Sequence, residues 1–362
     1  MPSQTVRIGL ACNEGCLFCF ADPEMWASRP RGTEDYSNLI GEDWRAAFRK
    51  VRSDGFDGLS ISGGEPALHP DLVRMVKYAR LLGFNRVELQ SNATLLNEAN
   101  VRRLARAGLC SALISLPGHR EKVYNALTAT RGYYEAALQG IRNLLDAGVR
   151  VSIAHVMCTA NYEDVEPFVE FVAEHFPTVS SVRLLYVQPE GRATKYPGLY
   201  PDLDELRPRL HAAMRRCDDL GLPFTTDVQC GVPMCVMGGF EERVDRDLLV
   251  HPENFWGDDL SSYRYMQGHK RKGAQCGECF FSGVCHGFWQ EYLDAYGDTA
   301  LKPVAPSPRL LSLFPEIAAG GVSVVPGDQP TTLSRMRSTK GIQARRASSR
   351  GCCGGDLAVQ GG

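Results

Sequence analysis

Short apolar runs rich in β-branched residues alternate along the first two thirds of the chain with longer segments of helical period. In segment 70–83, Leu72, Val76 and Ala79 fall on one helical stripe, and segment 133–148 repeats the pattern and ends at a glycine. Such alternation is typical of parallel strands joined by crossover helices. The predicted strands cover residues 6–10, 58–63, 86–91, 111–116, 149–157 and 181–187. Six repeats are too few for an eight-stranded barrel, so the sequence predicts an α/β fold with an open, partial (β/α)6 barrel.

Unusual residues directly follow the first three predicted strands. Three cysteines lie in ACNEGCLFCF (11–20), GGEP (63–66) follows the second strand, and QSNAT (90–94) ends the third. The carboxyl ends of parallel strands meet at one edge of a sheet, and active sites gather on the loops there. We therefore expect these three segments to share one site.

The composition narrows the class of protein. The 362 residues are 44% hydrophobic with a formal net charge of −2, so there is no overall basic field to attract nucleic acid. The N-terminus lacks a secretory signal and no apolar run reaches the roughly 20 residues of a membrane helix, which favours a soluble, cytoplasmic protein. In a reducing compartment, thirteen cysteines are more often metal ligands, catalytic groups or core residues than disulfides.

The alternating pattern ends near residue 224, which divides the chain into three predicted parts. Residues 1–224 form the barrel. Residues 225–300 are rich in cysteine, glycine and aromatics, and we expect a metal rather than a large apolar core to organise them. Residues 301–362, with Cys352 and Cys353, are predicted to be a low-complexity, mostly disordered tail.

The N-terminal cysteines have the spacing C-x3-C-x2-C. Three thiolates hold three irons of a four-iron cluster and leave the fourth iron open, whereas structural zinc takes four ligands in a closed site. The spacing alone favours an open [4Fe–4S] cluster and leaves zinc with a distant fourth ligand as an alternative.

This motif resembles the hallmark of the radical S-adenosylmethionine (radical SAM) superfamily, together with a glycine-rich segment after the second strand. The matching residues are Cys12, Cys16, Phe18, Cys19, Gly63, Gly64, Glu65 and Pro66. The resemblance implies that the open iron binds the amino and carboxylate groups of SAM. An electron from the cluster would then give methionine and a 5′-deoxyadenosyl radical. It also implies that the Gly63 and Gly64 backbone approaches the SAM ammonium and that Glu65 accepts it.

Further SAM contacts follow from the same resemblance. Ser91 and Asn92 match the position that contacts the ribose or carboxylate, although a turn that caps the next helix explains them as well. The backbone from Val187 would frame the adenine, and Ser115 would face SAM. His119 and His155 either touch substrate or are packed structural residues, and no catalytic acid or base stands out.

A second cysteine set has the spacing C-x2-C-x5-C, at Cys276, Cys279 and Cys285. It resembles the SPASM/twitch extension of radical SAM enzymes, which houses auxiliary clusters. The seven-cysteine SPASM set is incomplete, so the resemblance implies one auxiliary [4Fe–4S] cluster. We expect Cys235 to be the fourth ligand, with Cys230 as the alternative and His286 as a bystander.

The sequence therefore predicts an enzyme that abstracts hydrogen from a peptide or a small metabolite, as in peptide maturation or natural-product tailoring. The implied partners are an electron donor such as flavodoxin or ferredoxin and, for a peptide substrate, a separate recognition protein. The motif begins at residue 12, so no peptide-binding domain is expected before the barrel. The alternatives are a radical SAM methyltransferase or carbon-skeleton enzyme, and a non-catalytic iron–sulfur or zinc protein.

Overall fold

A computed structural model describes residues 3–20, 43–226, 231–244, 249 and 268–320. In this part of the chain seven strands form one parallel sheet in the order β1 to β7, and a separate two-stranded antiparallel sheet pairs β8 with β9. The strands are β1 (Ser3–Arg7), β2 (Gly58–Ser62), β3 (Arg86–Ser91), β4 (Ser111–Ser115), β5 (Arg150–Met157), β6 (Ser181–Tyr186), β7 (Phe224–Thr225), β8 (Lys270–Arg271) and β9 (Phe288–Trp289).

Crossover helices connect the parallel strands, and shorter helices follow them. The helices are α1 (Trp44–Ser53), α2 (Leu72–Leu81), α3 (Glu98–Ala107), α4 (Glu121–Thr128), α5 (Tyr134–Asp146), α6 (Val165–His175), α7 (Leu203–Leu220), α8 (Met234–Met237), α9 (Gln290–Tyr296), α10 (Pro308–Leu313) and α11 (Pro315–Ala318). Single 3-10 turns cover Pro66–Leu68, Tyr162–Asp164, Gly191–Lys195, Pro197–Leu199, Glu241–Arg243 and Ala274–Glu278. The sheet order, with β1 and β7 at opposite ends, confirms the predicted open α/β architecture.

The sheet differs from the prediction at its two edges. β1 covers Ser3–Arg7 rather than 6–10. The strand pairing continues with one further hydrogen bond, which Ile8 N–H donates to the Ser62 carbonyl at 2.9 Å. The chain then leaves the sheet beside Gly63 and Gly64. A seventh strand, Phe224–Thr225, pairs with β6 and is absent from the prediction, because two residues are too short to show an alternation.

The two faces of the sheet have opposite character. Leu59 and Ile61 of β2 are fully buried in the apolar core. Their neighbours on the other face are polar, and Ser62 donates to Gln90 Oε1 at 2.8 Å. Successive side chains of a strand point to opposite faces, so the face away from the helices is free to be polar. That face carries the candidate site.

The C-terminal part extends further than predicted. Residues 301–320 fall in the predicted disordered tail, but they contain α10 and α11, and Leu310 and Phe314 are buried. Helices of six and four residues span too few turns to show a period, which is why the sequence does not reveal them. Cys230 and residues 321–362, including Cys352 and Cys353, lie outside the described residues.

Among the helices of the described ranges, none combines the length and the apolar character that crossing a bilayer requires.

Candidate active site

Gly63 and Gly64 hold the backbone of the cysteine loop against the end of β2. Gly64 N–H donates to the Gly9 carbonyl, and Glu65 N–H donates to the Ala11 carbonyl, both at 2.8 Å. A Cβ at Gly63 would lie 2.3 Å from the Gly9 oxygen, and one at Gly64 would lie 2.2 Å from the Ala11 oxygen. Only glycine fits at these two positions, because the backbone of the cysteine loop occupies the space that a Cβ would need. The sequence does not suggest this role.

Two more segments fix the same loop from other sides. Gly15 N–H donates to the carbonyl of Thr128, at the end of α4, at 2.8 Å. After β6, Arg192 N–H donates to the Cys19 carbonyl at 2.8 Å. The left-handed Gly191 (φ 57°) lies so close that a Cβ would be 2.4 Å from the Phe20 oxygen. The three cysteines are thus carried on a loop braced by distant parts of the chain.

The loop forms the wall of a cavity of about 250 Å³ over the polar face of the sheet. The lining includes eight residues predicted for the site: Cys12, Cys16, Cys19, Gly63, Gly64, Ser91, Asn92 and Ser115. Two others, Glu65 and Val187, are buried but do not line it, although Tyr186 and Gln188 beside Val187 do. The structure therefore brings most of the predicted residues together.

Glu65 braces two strand ends instead of facing the cavity. Its carboxylate accepts from the Ser91 hydroxyl, the Asn92 N–H and the Ala67 N–H, each at 2.8 Å. Burial raises the pKa of Glu65, and these donors oppose the rise. With three hydrogen bonds to its own chain, Glu65 is oriented away from the role of ammonium acceptor that the resemblance implied.

Asn92 connects the third strand end to the cysteine loop. Its amide donates to Asn13 Oδ1 at 3.0 Å, and Thr94 N–H and Oγ1 donate to its Oδ1 at 3.1 and 2.8 Å. Ser91 accepts from Ala93 N–H at 3.0 Å, where the backbone takes a positive φ of 62°. Both side chains form turn hydrogen bonds and also line the cavity, but the turn does not cap the next helix, because the N-cap of α3 is Asn97.

Three residues that the sequence does not single out also lie at the loop. Glu14 is 8% exposed, lines the cavity, and accepts from the Tyr124 hydroxyl and from Cys16 Sγ, the latter at 3.4 Å. Burial raises the pKa of Glu14. Arg192 also lines the cavity and donates to the Cys16 carbonyl at 3.2 Å. Only the glutamate within the CNEGC motif gives a signal in the sequence that could have been noticed.

The two histidines lie away from the cavity. His155 is 1% exposed, stacks on Phe168 with ring centroids 3.9 Å apart, and hydrogen-bonds the Leu116 carbonyl through Nδ1 at 3.1 Å. Burial lowers its pKa to about 4. His119 packs against Phe171. Both fit the structural interpretation.

The donor set of the loop suits an iron–sulfur cluster. Burial raises the pKa of the Cys12 thiol to about 11 and that of Cys16 as well, so metal binding would have to displace these protons. Within the described ranges, no three His, Cys, Asp or Glu side chains converge closely enough for one metal ion. A four-iron cluster needs its thiolates farther apart, because each binds a different iron.

The second cysteine set also assembles, apart from the cavity over the sheet. Cys235, Cys276, Cys279 and Cys285 line one small pocket. Burial, together with the neighbouring Cys285 and Cys279, raises the pKa of Cys235 to about 12. Burial lowers the pKa of the adjacent His286 to about 4. The four thiols are the donor set that a closed four-iron cluster requires.

Comparison with known proteins identifies the N-terminal part of the chain. Residues 6–172 match the radical SAM superfamily. The chain is 26% identical over 301 residues to an Fe-coproporphyrin III synthase of Methanosarcina barkeri, covering 81% of this chain and 69% of that protein. It is 28% identical over 193 residues to a probable GTP 3′,8-cyclase of Saccharolobus solfataricus, covering 52% of this chain and 59% of that one. The chain thus spans about three fifths of the length of the cyclase.

Solved structures share the fold at low sequence identity. Streptococcus suis SuiB bound to S-adenosylmethionine has a TM-score of 0.55 and 18% identity, covering 85% of this chain and 77% of SuiB. Native anSMEcpe with bound AdoMet has a TM-score of 0.55 and 14% identity, covering 89% and 99%. The chain carries a radical SAM domain at residues 6–172, and together with the relatives named as a synthase and a cyclase this domain indicates a radical SAM enzyme. Membership of this superfamily implies a [4Fe–4S] cluster and SAM.

Proposed function

We propose that Cys12, Cys16 and Cys19 hold the SAM-binding [4Fe–4S] cluster and that the cavity above the sheet is where a substrate loses hydrogen. The observation that carries the proposal is the meeting of three thiols with the ends of β2, β3 and β4 around one cavity. When bound, the cluster supplies an electron that cleaves SAM into methionine and the hydrogen-abstracting 5′-deoxyadenosyl radical. The protein's contribution is to orient the groups and to exclude water.

The chain's own residues support binding of an amino-acid moiety beside the cluster. The ends of β2 and β3 present polar groups of Gly63, Gly64, Ser91 and Asn92 to the cavity. Glu65 binds Ser91 and Asn92, and Asn13 binds the Asn92 amide, which fixes the orientation of these groups. Glu14 contributes a buried carboxylate to the wall. Because preorganised hydrogen-bonding groups need no rearrangement during the reaction, such bracing favours precise positioning.

The substrate is a peptide or a small metabolite. Leu113, Val156 and Leu185 give the cavity an apolar wall, while Arg192 has no ion pair with any carboxylate of the described chain. These features support a substrate with an apolar surface at the reacting C–H bond and an anionic group near Arg192. The solved structure of SuiB bound to the precursor peptide SuiA shares the fold, and the synthase relative is named for a porphyrin.

The four thiols of the second set are proposed to bind an auxiliary [4Fe–4S] cluster that assists by electron transfer. Tyr186, which lines the SAM-side cavity, packs edge-on against Phe288 with ring centroids 4.9 Å apart. Phe288 directly follows Gly287, which lines the cysteine pocket. This ring pair therefore lies between Tyr186 of the first site and Gly287 of the second. A flavodoxin or ferredoxin would supply the electron in the cytoplasm, with a separate recognition protein if the substrate is a peptide.

The test is anaerobic reconstitution followed by measurement of iron, sulfide and 5′-deoxyadenosine. We expect about eight irons per chain from two clusters of four. Cys12→Ala, Cys16→Ala and Cys19→Ala together should remove about half of the iron and all deoxyadenosine release. Cys110→Ala is the matched control, because Cys110 lies at the opposite edge of the sheet, before β4.

Two results would overturn the assignment. One is full iron retention in the triple variant. The other is zinc as the only bound metal, with no deoxyadenosine under a strong reductant. The second outcome would return the protein to the non-catalytic alternative.

A further inference from the structure

Residues 301–314 begin at the four-cysteine pocket and contact the segments that carry its cysteines. Leu301, Lys302 and Pro303 form part of its lining alongside the cysteines. The remainder of the segment crosses from the loop that carries Cys276, Cys279 and Cys285 to the turn that follows Cys235. The cysteine motifs themselves contain none of these residues, and the sequence pattern places them in a disordered tail.

The first half of the segment bonds the loop of Cys279 through its backbone. Val304 N–H donates to Cys279 Sγ at 3.3 Å, and the Val304 carbonyl accepts from Phe280 N–H at 2.8 Å. Lys302 lines the pocket together with Cys235. Backbone donors to cluster sulfurs are among the groups that set a cluster's reduction potential.

The second half holds the two sides of the pocket together. Arg309 donates to Glu241 Oε2 and to the Gly239 carbonyl, both at 2.6 Å, and also pairs with Glu242. The Glu241 side chain is 6% exposed and that of Arg309 is 45% exposed, so solvent screens this ion pair in part. These residues follow directly on α8, the short helix that carries Cys235.

The end of the segment also contacts the loop that carries the other three cysteines. Phe314 packs edge-on against Phe281 with ring centroids 5.3 Å apart, and both rings are almost fully buried. Phe281 lies two residues after Cys279, and its carbonyl accepts from Cys285 N–H at 2.8 Å. Gln275, next to Cys276, donates to the Leu301 carbonyl at 2.9 Å. All four cysteine positions are therefore connected to one continuous segment.

The other end of the segment is attached to the barrel. Arg207 of α7 donates to the Ala300 carbonyl at 2.8 Å, and Lys302 Nζ lies 3.0 Å from Asp204 Oδ1. The segment is thus held by the barrel at its beginning and by the turn after Cys235 near its end. Such attachment fixes where its backbone donors point.

We propose that residues 301–314 are an integral wall of the auxiliary metal site, with Arg309 and Phe314 as positioning residues that hold Cys235 against the other three cysteines. The inference rests on the proposed auxiliary cluster. Its consequence is that the four-cysteine motif is insufficient by itself: without this segment Cys235 is no longer held in place, and the cluster is retained poorly. The backbone donor at Val304 additionally tunes the cluster electronically.

The test uses the full chain with Cys12, Cys16 and Cys19 replaced by Ala, so that all remaining iron belongs to the auxiliary site. This background should hold about four irons and show the EPR signal of one reduced cluster. Adding Arg309→Ala should lower iron retention after desalting by more than half, and Phe314→Ala should do the same. Arg309→Lys keeps the charge and should restore part of the iron. Leu311→Ala is the matched control, because Leu311 is 43% exposed on the same helix.

A spectroscopic readout separates positioning from general instability. In the intact chain, Arg309→Ala should also shift the reduction midpoint of the auxiliary cluster while SAM cleavage to deoxyadenosine continues, which shows a folded barrel. Far-UV circular dichroism checks the fold of each variant. If Arg309→Ala does not fold, Arg309→Lys and Phe314→Leu provide the same comparison with smaller perturbations.

The outcomes distinguish the inference from the proposal on which it rests. If the background holds four irons and keeps them after Arg309→Ala and Phe314→Ala, with an unchanged reduction midpoint, the role of residues 301–314 is wrong and the auxiliary cluster still stands. A folded background that holds no iron would overturn the auxiliary cluster, and the wall with it. Loss of iron in both variants but not in Leu311→Ala supports both.

Discussion

Replacing Gly191 by Ala tests whether the chain after β6 sets the position of the cysteine loop. Gly191 has a left-handed φ of 57°, which costs Ala about 1–2 kcal/mol. Its new Cβ would also lie 2.4 Å from the Phe20 oxygen and 2.7 Å from the Cys19 oxygen. A relaxed C···O contact is about 3.3 Å, so the loop would have to move by about 1 Å.

The expected cost combines two effects. Overpacking of this kind adds about 1–3 kcal/mol, which gives a total of about 2–5 kcal/mol with the backbone strain. A shift of about 1 Å at a reacting group can reduce a rate on the order of 100-fold. We therefore expect Gly191→Ala to lower SAM cleavage far more than its loss of stability alone would.

Substitutions at two other glycines serve as controls that separate backbone strain from steric contact. Gly132 has φ 79°, and a Cβ added there would meet no atom within 4 Å, so Gly132→Ala carries the backbone strain alone. Gly198 has neither a positive φ nor a close neighbour, so Gly198→Ala should be neutral. The assays are thermal unfolding, iron content and the initial rate of deoxyadenosine release. Equal rates for Gly191→Ala and Gly132→Ala would refute the steric reasoning.

Three further predictions concern residues with distinct roles. In Glu65→Gln, an amide NH2 group replaces one of the carboxylate oxygens that accept hydrogen bonds from neighbouring donors. We expect the free energy of unfolding to fall by about 2 kcal/mol, measured as a lower Tm. An unchanged Tm would contradict the bracing role. The pKa of His155 is lowered to about 4, so below about 6.5 the unfolded chain binds the proton first. The contribution of neutral His155 to the free energy of unfolding is fully present above about pH 6.5. It decreases by about 3 kcal/mol as the pH falls to about 4. His155→Phe should flatten this part of the pH dependence in urea unfolding, and an unaltered profile would show that other groups cause it. Cys276→Ala should still release deoxyadenosine but form no product; product from a folded variant without the auxiliary cluster would show that this cluster is structural.

The cysteine loop and the strand-end segments could be predicted from the sequence, for a definite physical reason. Parallel strands place their carboxyl ends together, so Cys12, Gly63 and Ser91 had to meet once the alternation was recognised. The same reasoning could not find Arg192 or Tyr124. Their places depend on how loops pack across the sheet, and no local period records that.

The roles of individual residues are harder to predict than their places. Glu65 is where the resemblance puts it, but its hydrogen bonds point into the chain. The wall at residues 301–314 escapes prediction because its contacts are few, specific and distant in sequence, as between Arg309 and Glu241. Interactions of this kind leave no compositional signal.

The bracing of the cysteine loop has a consequence for the order of events in folding. The Cys19 carbonyl accepts from Arg192 N–H, and Gly15 N–H donates to the Thr128 carbonyl. Residues near the N-terminus are therefore held by partners that lie more than one hundred positions later in the sequence. Contacts of such long sequence separation form slowly, because a long chain segment must be closed before they give any stabilisation. On the ribosome, the thiols would be made first and positioned last. Iron loading would then follow completion of β6, and a nascent chain interrupted before Gly191 would expose three unassembled ligands.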